Sequence, residues 1–361
     1  MDIKEISTVR LFSQQIACTE FKTAKEIVGW MGAMQAQDFY MAEWALGVRL
    51  PNSTDKLIEE AISGGDIIRT HLMRPTWHFV SSDDIYWMLE LTAPRIKASM
   101  RYRSRVLELD EAVYKKSNSI IKKALNGGKH LYREDLIKLL EKSKIATDNN
   151  RASHLFFRAE LEGIMCSGKI IRNKQTYALL NERVPNAKRL NREEALKQLA
   201  QGYFTSHCPA TLQDFAWWSG LSVSDSRLAL EMIKPNFINE KIGGQTYWFH
   251  NSFTLPRIEK HFAYALPAYD EFVISYKDRS ASVPFESNMK TISNNGVFKP
   301  LIIINGQVAG IWKRTINKEK IFIQAETFRK LKKSEKLLAE KAFKRFVQFL
   351  QKKLAAIQFI C

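Results

Sequence analysis

Ile67-Ile68-Arg69-Thr70-His71-Leu72-Met73, then Arg74-Pro75-Thr76, then Trp77-His78-Phe79-Val80, is two short β-favouring runs on either side of a proline turn, the pattern of a hairpin. Three helical patterns precede it. Thr23-Ala24-Lys25-Glu26 has the Thr-x-x-Glu spacing of a capping box, and Ile27, Trp30, Met31 and Met34 fall at i, i+3, i+4 and i+7 on one apolar face. Met41, Trp44, Ala45 and Val48 repeat the helical spacing up to Pro51-Asn52-Ser53. A third helix starts near Thr54, carries Leu57, Ile58, Ala61 and Ile62, and stops at Gly64-Gly65. Three helices followed by a two-stranded hairpin is the order of a winged helix.

The order recurs downstream. A linking region runs from Ser82 to about Arg105, with Pro94 expected to break its helices and Arg95, Lys97, Arg101, Arg103 and Arg105 clustered near its end. Helices are predicted from about Asp110 to Asn126, from Arg133 to Lys142 and from about Asn149 to Met165, with a wing formed by Lys169 to Arg172 and Gln175 to Leu180. In such a unit the third helix enters the major groove and the wing tracks the backbone. Arg151, His154, Arg158, Lys169, Arg172 and Lys174 are therefore candidate phosphate contacts, although a solvated face explains each one singly just as well. A third copy follows Glu182-Arg183-Val184-Pro185, with helices at about Arg192 to Gly202, Thr211 to Trp218 and Ser222 to Met232, the last two N-capped by Thr211 and Ser222. Its hairpin is Asn239 to Ile242 and Gln245 to Phe249, turned at Gly243-Gly244.

From about Phe262 the pattern changes to strands. Phe272 to Tyr276, Val297 to Ile304, Gln307 to Lys313 and Ile321 to Gln324 are apolar runs, and Asn305-Gly306 is a strong hairpin signal. A small barrel is the expected closure, followed by a last helix from about Ser334 to Leu354. The predicted fold is mixed α and β, mostly α: three tandem winged-helix units plus a small C-terminal β-barrel and a terminal helix. The expected boundaries are 1–108 (with the linking helices), 109–184, 185–255, 256–330 and 331–361.

Lys and Arg total 55 against 38 acidic residues, a net charge of +17 spread over 361 residues, which points to a polyanionic partner carried on a folded basic surface, most simply nucleic acid. There is no apolar signal core at the N-terminus and no apolar run long enough for a membrane span. Cys18, Cys166, Cys208 and Cys361 are far apart, so neither a zinc site nor a disulfide framework is indicated and a reduced, cytoplasmic setting is the expectation. Phosphate-binding glycine loops, metalloprotease and serine-hydrolase motifs and the zinc-deaminase signature are all missing. The seven histidines pair at no ligand spacing. An enzyme built on this chain would work without metal, cofactor or an activated nucleophile.

One segment remains conspicuous. Gln35-Ala36-Gln37 places two primary amides in an apolar neighbourhood, where they are costly unless hydrogen-bonded. If the preceding helix continues, Gln37 lies about 200° from Gln35; if it ends, both amides can turn toward one space. Helix capping or backbone pairing is the structural reading of the pair.

Met34-Gln35-Ala36-Gln37-Asp38, Arg69-Thr70-His71-Leu72-Met73-Arg74-Pro75-Thr76-Trp77-His78, Arg158-Ala159-Glu160-Leu161-Glu162-Gly163, Thr211-Leu212-Gln213-Asp214-Phe215-Ala216-Trp217-Trp218-Ser219-Gly220-Leu221 and Leu266-Pro267-Ala268-Tyr269-Asp270-Glu271-Phe272 resemble, in order, the blocks of the AlkZ-like winged-helix DNA glycosylases. The resemblance covers about Arg10 to about Gln324 and implies three tandem winged helices and a small barrel around a DNA-sized channel. Members of that family remove alkylated bases, and some unhook interstrand crosslinks. Their signature of Gln, an apolar residue and Gln falls on Gln35 and Gln37; a sister branch has Asp at the second place, and Asp38 is out of register for it.

The resemblance thus implies a monofunctional glycosylase that hydrolyses the N-glycosidic bond of cationic N7- or N3-alkylated purines. It would act as a monomer on double-stranded DNA, with Gln35 and Gln37 catalytic and Arg69, Arg74 and His78 among the DNA contacts. Trp77 as core and His78 bonded to backbone is the competing reading of that block. Trp217 and Trp218 are candidates for base stacking, with at least one expected in the core. The other function class compatible with the pattern is a non-catalytic winged-helix DNA-binding protein or transcription regulator.

Overall fold

The capping box at Thr23 forms as its spacing dictates. The computed structural model describes residues 1–186, 188–251, 261–293 and 295–360. After α1 (Ile3–Ser13), α2 (Ala24–Met31) begins with the Thr23 hydroxyl accepting from the Glu26 N–H and the Glu26 carboxylate accepting from the Thr23 N–H. The helix ends at Gly32, whose φ of +75° suits glycine and few other residues. The chain therefore leaves the helix before the glutamines and enters β1 (Ala33–Gln35). Asp38 then N-caps α3 (Phe39–Gly47), and Thr54 N-caps α4 (Asp55–Gly64). The predicted hairpin is β2 (Ile67–Leu72) and β3 (Thr76–Ser81); β1 adds to its other side, giving the antiparallel order β1-β3-β2.

Pro94 does not break the linking region. A single helix, α5 (Ile85–Val106), runs through it. The carbonyl that proline leaves without a partner belongs to Glu90, and both residues lie on the exposed side, while Trp87, Met88, Leu91, Ile96 and Met100 are buried on the other. Next come α6 (Glu111–Leu125), α7 (Arg133–Lys142) and α8 (Arg151–Leu161). The hairpin after them differs from the predicted wing: β4 (Met165–Ser167) pairs with β5 (Tyr177–Leu179), leaving only an Ile171–Lys174 bridge between. The stretch Lys169 to Gln175 is mostly exposed and turns at Arg172 and Asn173, both at positive φ; of its two half-buried isoleucines, Ile170 packs on the main core and Ile171 faces Lys174, so no apolar cross-strand pair extends the ladder.

Following α9 (Leu180–Arg183), the third set of helices is α10 (Arg192–Ser206), α11 (Leu212–Ser219) and α12 (Val223–Ile233), the last two capped by Thr211 and Ser222 as expected. Its hairpin is β6 (Phe237–Ile242) and β7 (Gln245–His250).

The C-terminal part departs most from expectation. After β8 (Ala263–Leu266), the run Phe272 to Tyr276 is not a strand. It folds as α13 (Glu271–Ile274) behind Asp270, whose Oδ1 accepts from the Phe272 N–H at 2.9 Å. Short apolar runs do not distinguish strand from buried helix, and here a cap decided. Then come α14 (Asn288–Thr291), β9 (Leu301–Ile304), β10 (Gln307–Asn317) and β11 (Lys320–Thr327). The final helix, α15 (Lys333–Phe349), stops five residues before Leu354; the chain turns at Gln351 and returns as β12 (Lys353–Ile360), parallel to β11. The five strands form an open sheet in the order β12-β11-β10-β9-β8, not a barrel. α15 lies against this sheet and supplies the apolar cover that closure would otherwise provide. Among the described residues, no helix is long and apolar enough to cross a membrane.

One apolar cluster joins α2, α3 and α4 to the C-terminal sheet and α15. At its centre Phe346 packs against Trp44 (ring centroids 5.2 Å apart) and Trp312 (4.9 Å). A Phe346→Ala substitution is expected to lower the unfolding free energy by about 3–5 kcal/mol in urea titrations; a loss below about 1 kcal/mol would mean the surrounding rings collapse into the space.

Candidate active site

The Gln35-Ala36-Gln37 segment is fixed through its backbone. Gln35 ends β1 opposite His78 of β3, and its N–H donates to Glu271 Oε1 at 2.6 Å. The Ala36 N–H donates to the Trp77 carbonyl at 2.7 Å, and the Ala36 carbonyl accepts from Arg69 Nε at 3.0 Å. The helix has ended, but the two amides do not share one environment: Gln35 is 6% exposed, whereas Gln37 is exposed at the mouth of α3. Gln35 Oε1 lies 3.4 Å from Arg74 Nη2.

Glu271 is the pin. Its carboxylate is buried and accepts from the Gln35 N–H, from Trp218 Nε1 at 3.3 Å and from the Ser275 hydroxyl. Burial raises its pKa, an effect opposed by the Ser275 hydrogen bond and by Arg74. Arg74 is pushed the other way, its pKa lowered by burial although Glu271 opposes this. The turn carrying Arg74 fits because Gly220 has no side chain: a Cβ there would lie 2.7 Å from the Met73 carbonyl oxygen, at a φ of +69°. On the outer side the Arg74 guanidinium is 5.9 Å from the Trp217 ring and that of Arg279 is 5.6 Å from it. Trp217 is 41% exposed while Trp218 is core, so one of the two tryptophans is available to a ligand.

The other sequence candidates separate by environment. His78 is fully buried, with Nδ1 3.0 Å from the Thr76 carbonyl; burial and then Arg74 push its pKa down to about 3, so the ring is neutral. Its backbone contact is the one the competing reading expects, while its Nε2 is buried without a partner among the described residues. Arg69 is held between the Ala36 carbonyl, Gln175 Oε1 at 2.7 Å and the Trp77 face at 4.3 Å. Arg158 is committed to Glu162 and to Glu111 and lies over the Tyr114 ring. Arg151 donates to the Ala146 and Leu107 carbonyls. His154 is half-buried, its pKa lowered by burial. Lys169, Arg172 and Lys174 are exposed together on the turn between β4 and β5.

Sequence reasoning missed three acidic residues. Asp270-Glu271 stood inside a quoted block without a role, and only its burial against Gln35 and Arg49 gives it one. Glu43 gave no signal, since it occupies an ordinary helical position in α3. It is buried with Oε1 unpartnered among the described residues, and burial followed by the charges of Glu59, Asp55 and Asp38 pushes its pKa up to about 9.

Two stability measurements check these assignments. In Glu271→Gln, either amide orientation sets an NH2 group against a donor that the carboxylate now accepts, so unfolding free energy should fall by about 1–3 kcal/mol; unchanged stability would show that Glu271 is not the pin. Glu43 has a folded pKa above its ordinary 4.5, so its contribution is complete below that pH and is lost as pH rises toward about 9. Glu43→Gln should therefore flatten the decline in stability between about pH 5.5 and about pH 8.5, a slope of up to about 1.4 kcal/mol per pH unit. An identical slope in the variant would contradict the buried, protonated assignment.

Comparison with known proteins bears on the whole chain. Residues 28–349 match the model of the family described as DNA glycosylase AlkZ-like. No curated protein matches the chain by sequence. Among solved structures, the Streptomyces sahachiroi DNA glycosylase AlkZ superposes with a TM-score of 0.84 at 16% identity, covering 100% of both chains, a likeness of fold. With a family match spanning most of its length, the chain belongs to the AlkZ-like family of DNA glycosylases.

Proposed function

We propose that this DNA glycosylase hydrolyses the N-glycosidic bond of cationic N7- or N3-alkylated purines in double-stranded DNA, with bulky adducts and interstrand crosslinks in its range, and that Gln35 and Gln37 are its catalytic residues. The observation that carries the reading is the fixed Gln-Ala-Gln backbone, which leaves Gln37 exposed while Gln35 is held inside beside Arg74. In this reading the three helix-and-hairpin units are winged helices, occupying about 1–108, 109–184 and 185–255, with the C-terminal unit at 256–330 and a terminal segment at 331–361. Lys169, Arg172 and Lys174 contact phosphate; Arg69 and Arg74 act from the protein interior, orienting the glutamines. The enzyme works as a cytoplasmic monomer.

The chemistry suits neutral amides. Alkylation at a ring nitrogen leaves positive charge on the purine, so the base departs without a general acid. What remains is to hold water near C1′ and to stabilise an oxocarbenium-like transition state by position and electrostatics. The Gln37 oxygen accepts from that water and its NH2 donates to a sugar or phosphate oxygen. Gln35, oriented by Arg74, holds the water or the backbone from the other side. An amide is a poor base, so undamaged purines, neutral poor leaving groups, are left intact.

The test is base release from DNA carrying N7-methylguanine, followed by strand analysis. Gln37→Ala is expected to slow release by about 10²–10³-fold, the range for loss of one positioned polar group, with thermal stability unchanged and product strands intact before alkali. Release at the wild-type rate by Gln37→Ala would move the catalytic role elsewhere. A sequence-specific footprint indifferent to substitution of Gln35 and Gln37, with no base released from any adduct, would favour a regulator.

A further inference from the structure

A cavity of about 770 Å³ opens beside the glutamine segment, between β2–β3 and α8. Its volume lies within the roughly 300–1,000 Å³ of small-molecule sites. Arg69 connects the two places: it lines the cavity, and its Nε donates to the Ala36 carbonyl at 3.0 Å. The walls are aromatic, with Trp77, Phe156, Phe157 and Tyr177. The mouth carries exposed Ser99, Arg103 and Ser153, so the cavity reaches solvent. Arg133 lies 4.7 Å over the Phe156 ring and donates to the Ser153 hydroxyl at 3.0 Å.

Glu160 sets the chemistry. It is fully buried and lines the cavity. Its Oε2 accepts from the His71 N–H at 2.8 Å, contacts His71 Nδ1 at 2.7 Å and accepts from the Thr70 hydroxyl at 3.3 Å, while Oε1 has no partner among the described residues. A buried carboxylate oxygen left unpaired is costly, so this position suits an incoming donor. Glu160 has no part in the water-positioning chemistry above; Arg69 is the residue that the two places share.

We infer that the cavity holds a guanine-type purine as a free base. The flat ring packs against the aromatic and guanidinium lining, in which the His71 ring already lies against Trp77 and Phe157 and Arg133 lies over Phe156. Its N1–H and 2-amino group donate toward Glu160 Oε1, and its O6 faces the arginines; N7, which carries the alkyl group, accepts nothing. The arginines disfavour a cationic alkylpurine and accept the neutral base that exists once the glycosidic bond is broken. The assignment rests on the proposed alkylpurine reaction and makes the cavity a holding site for the departed base.

Binding of free 7-methylguanine to the full-length chain, followed by equilibrium dialysis and by quenching of tryptophan fluorescence from Trp77, tests it without DNA or turnover. Saturable binding is expected, weakened at least about ten-fold by Ser153→Trp, which fills the mouth from an exposed position, and similarly by Glu160→Gln. Adenine, which lacks the ring N–H and 2-amino pair, should bind about ten-fold more weakly. No saturable binding by the wild type, equal binding by Ser153→Trp, or equal affinity for adenine overturns the assignment. Since no base release is needed, such a result leaves the proposed reaction standing. A chain that binds the base but releases none would instead keep the cavity and remove the reaction.

Discussion

Asp270 and Glu271, adjacent at the start of α13, are buried carboxylates with partners in different parts of the molecule. Arg49, at the end of α3, donates to both Asp270 oxygens, at 2.8 and 3.0 Å, and also to Gln14 and to the Ala45 carbonyl. Glu271 takes the Gln35 N–H on one side and Trp218 of α11 on the other. One short turn from the C-terminal part thus ties the first helices, the glutamine strand and the third set of helices together. Removing one partner of a buried ion pair strands a charge and costs about 3–5 kcal/mol, whereas an intact, fully bonded pair specifies one arrangement. The position of the glutamines relative to α11 depends on that constraint.

The same packing shows how a strongly basic chain keeps two neutral amides, the proposed catalytic pair, in place. The +17 charge is dispersed along the chain, while beside Gln35 the His78 ring is kept neutral by burial and the charge of Arg74 is opposed by that of Glu271. A positive surface attracts DNA at long range. In the proposed chemistry positioning is the main contribution asked of the site, in keeping with backbone bonds at 2.6, 2.7 and 3.0 Å on Gln35 and Ala36.

Local signals were the legible part. Thr23, Thr54, Thr211 and Ser222 each cap the helix their spacing announced, and the hairpins at Pro75 and Gly243-Gly244 form where turn chemistry places them. Two of the misreadings were cases in which one short pattern serves two structures, and a third turned on what covers a sheet. Pro94 is tolerated because its freed carbonyl partner is exposed. Phe272 to Tyr276 is helical because Asp270 caps it. The sheet stays open because α15 covers its face and β12 returns to lengthen one edge.

By itself the sequence determined the helix starts, the hairpin turns, the recurring helix–hairpin order, the basic balance and the position of the Gln-Ala-Gln segment, because caps, turns and charge act over a few residues or over the whole composition. Only the tertiary structure decided which glutamine is buried, that His78 is hidden, that Arg158 is spent on ion pairs, and that Glu271 holds the segment from 236 residues away in the chain. Those outcomes depend on burial and on long-range hydrogen bonds, whose energies exist only after distant segments meet and exclude water.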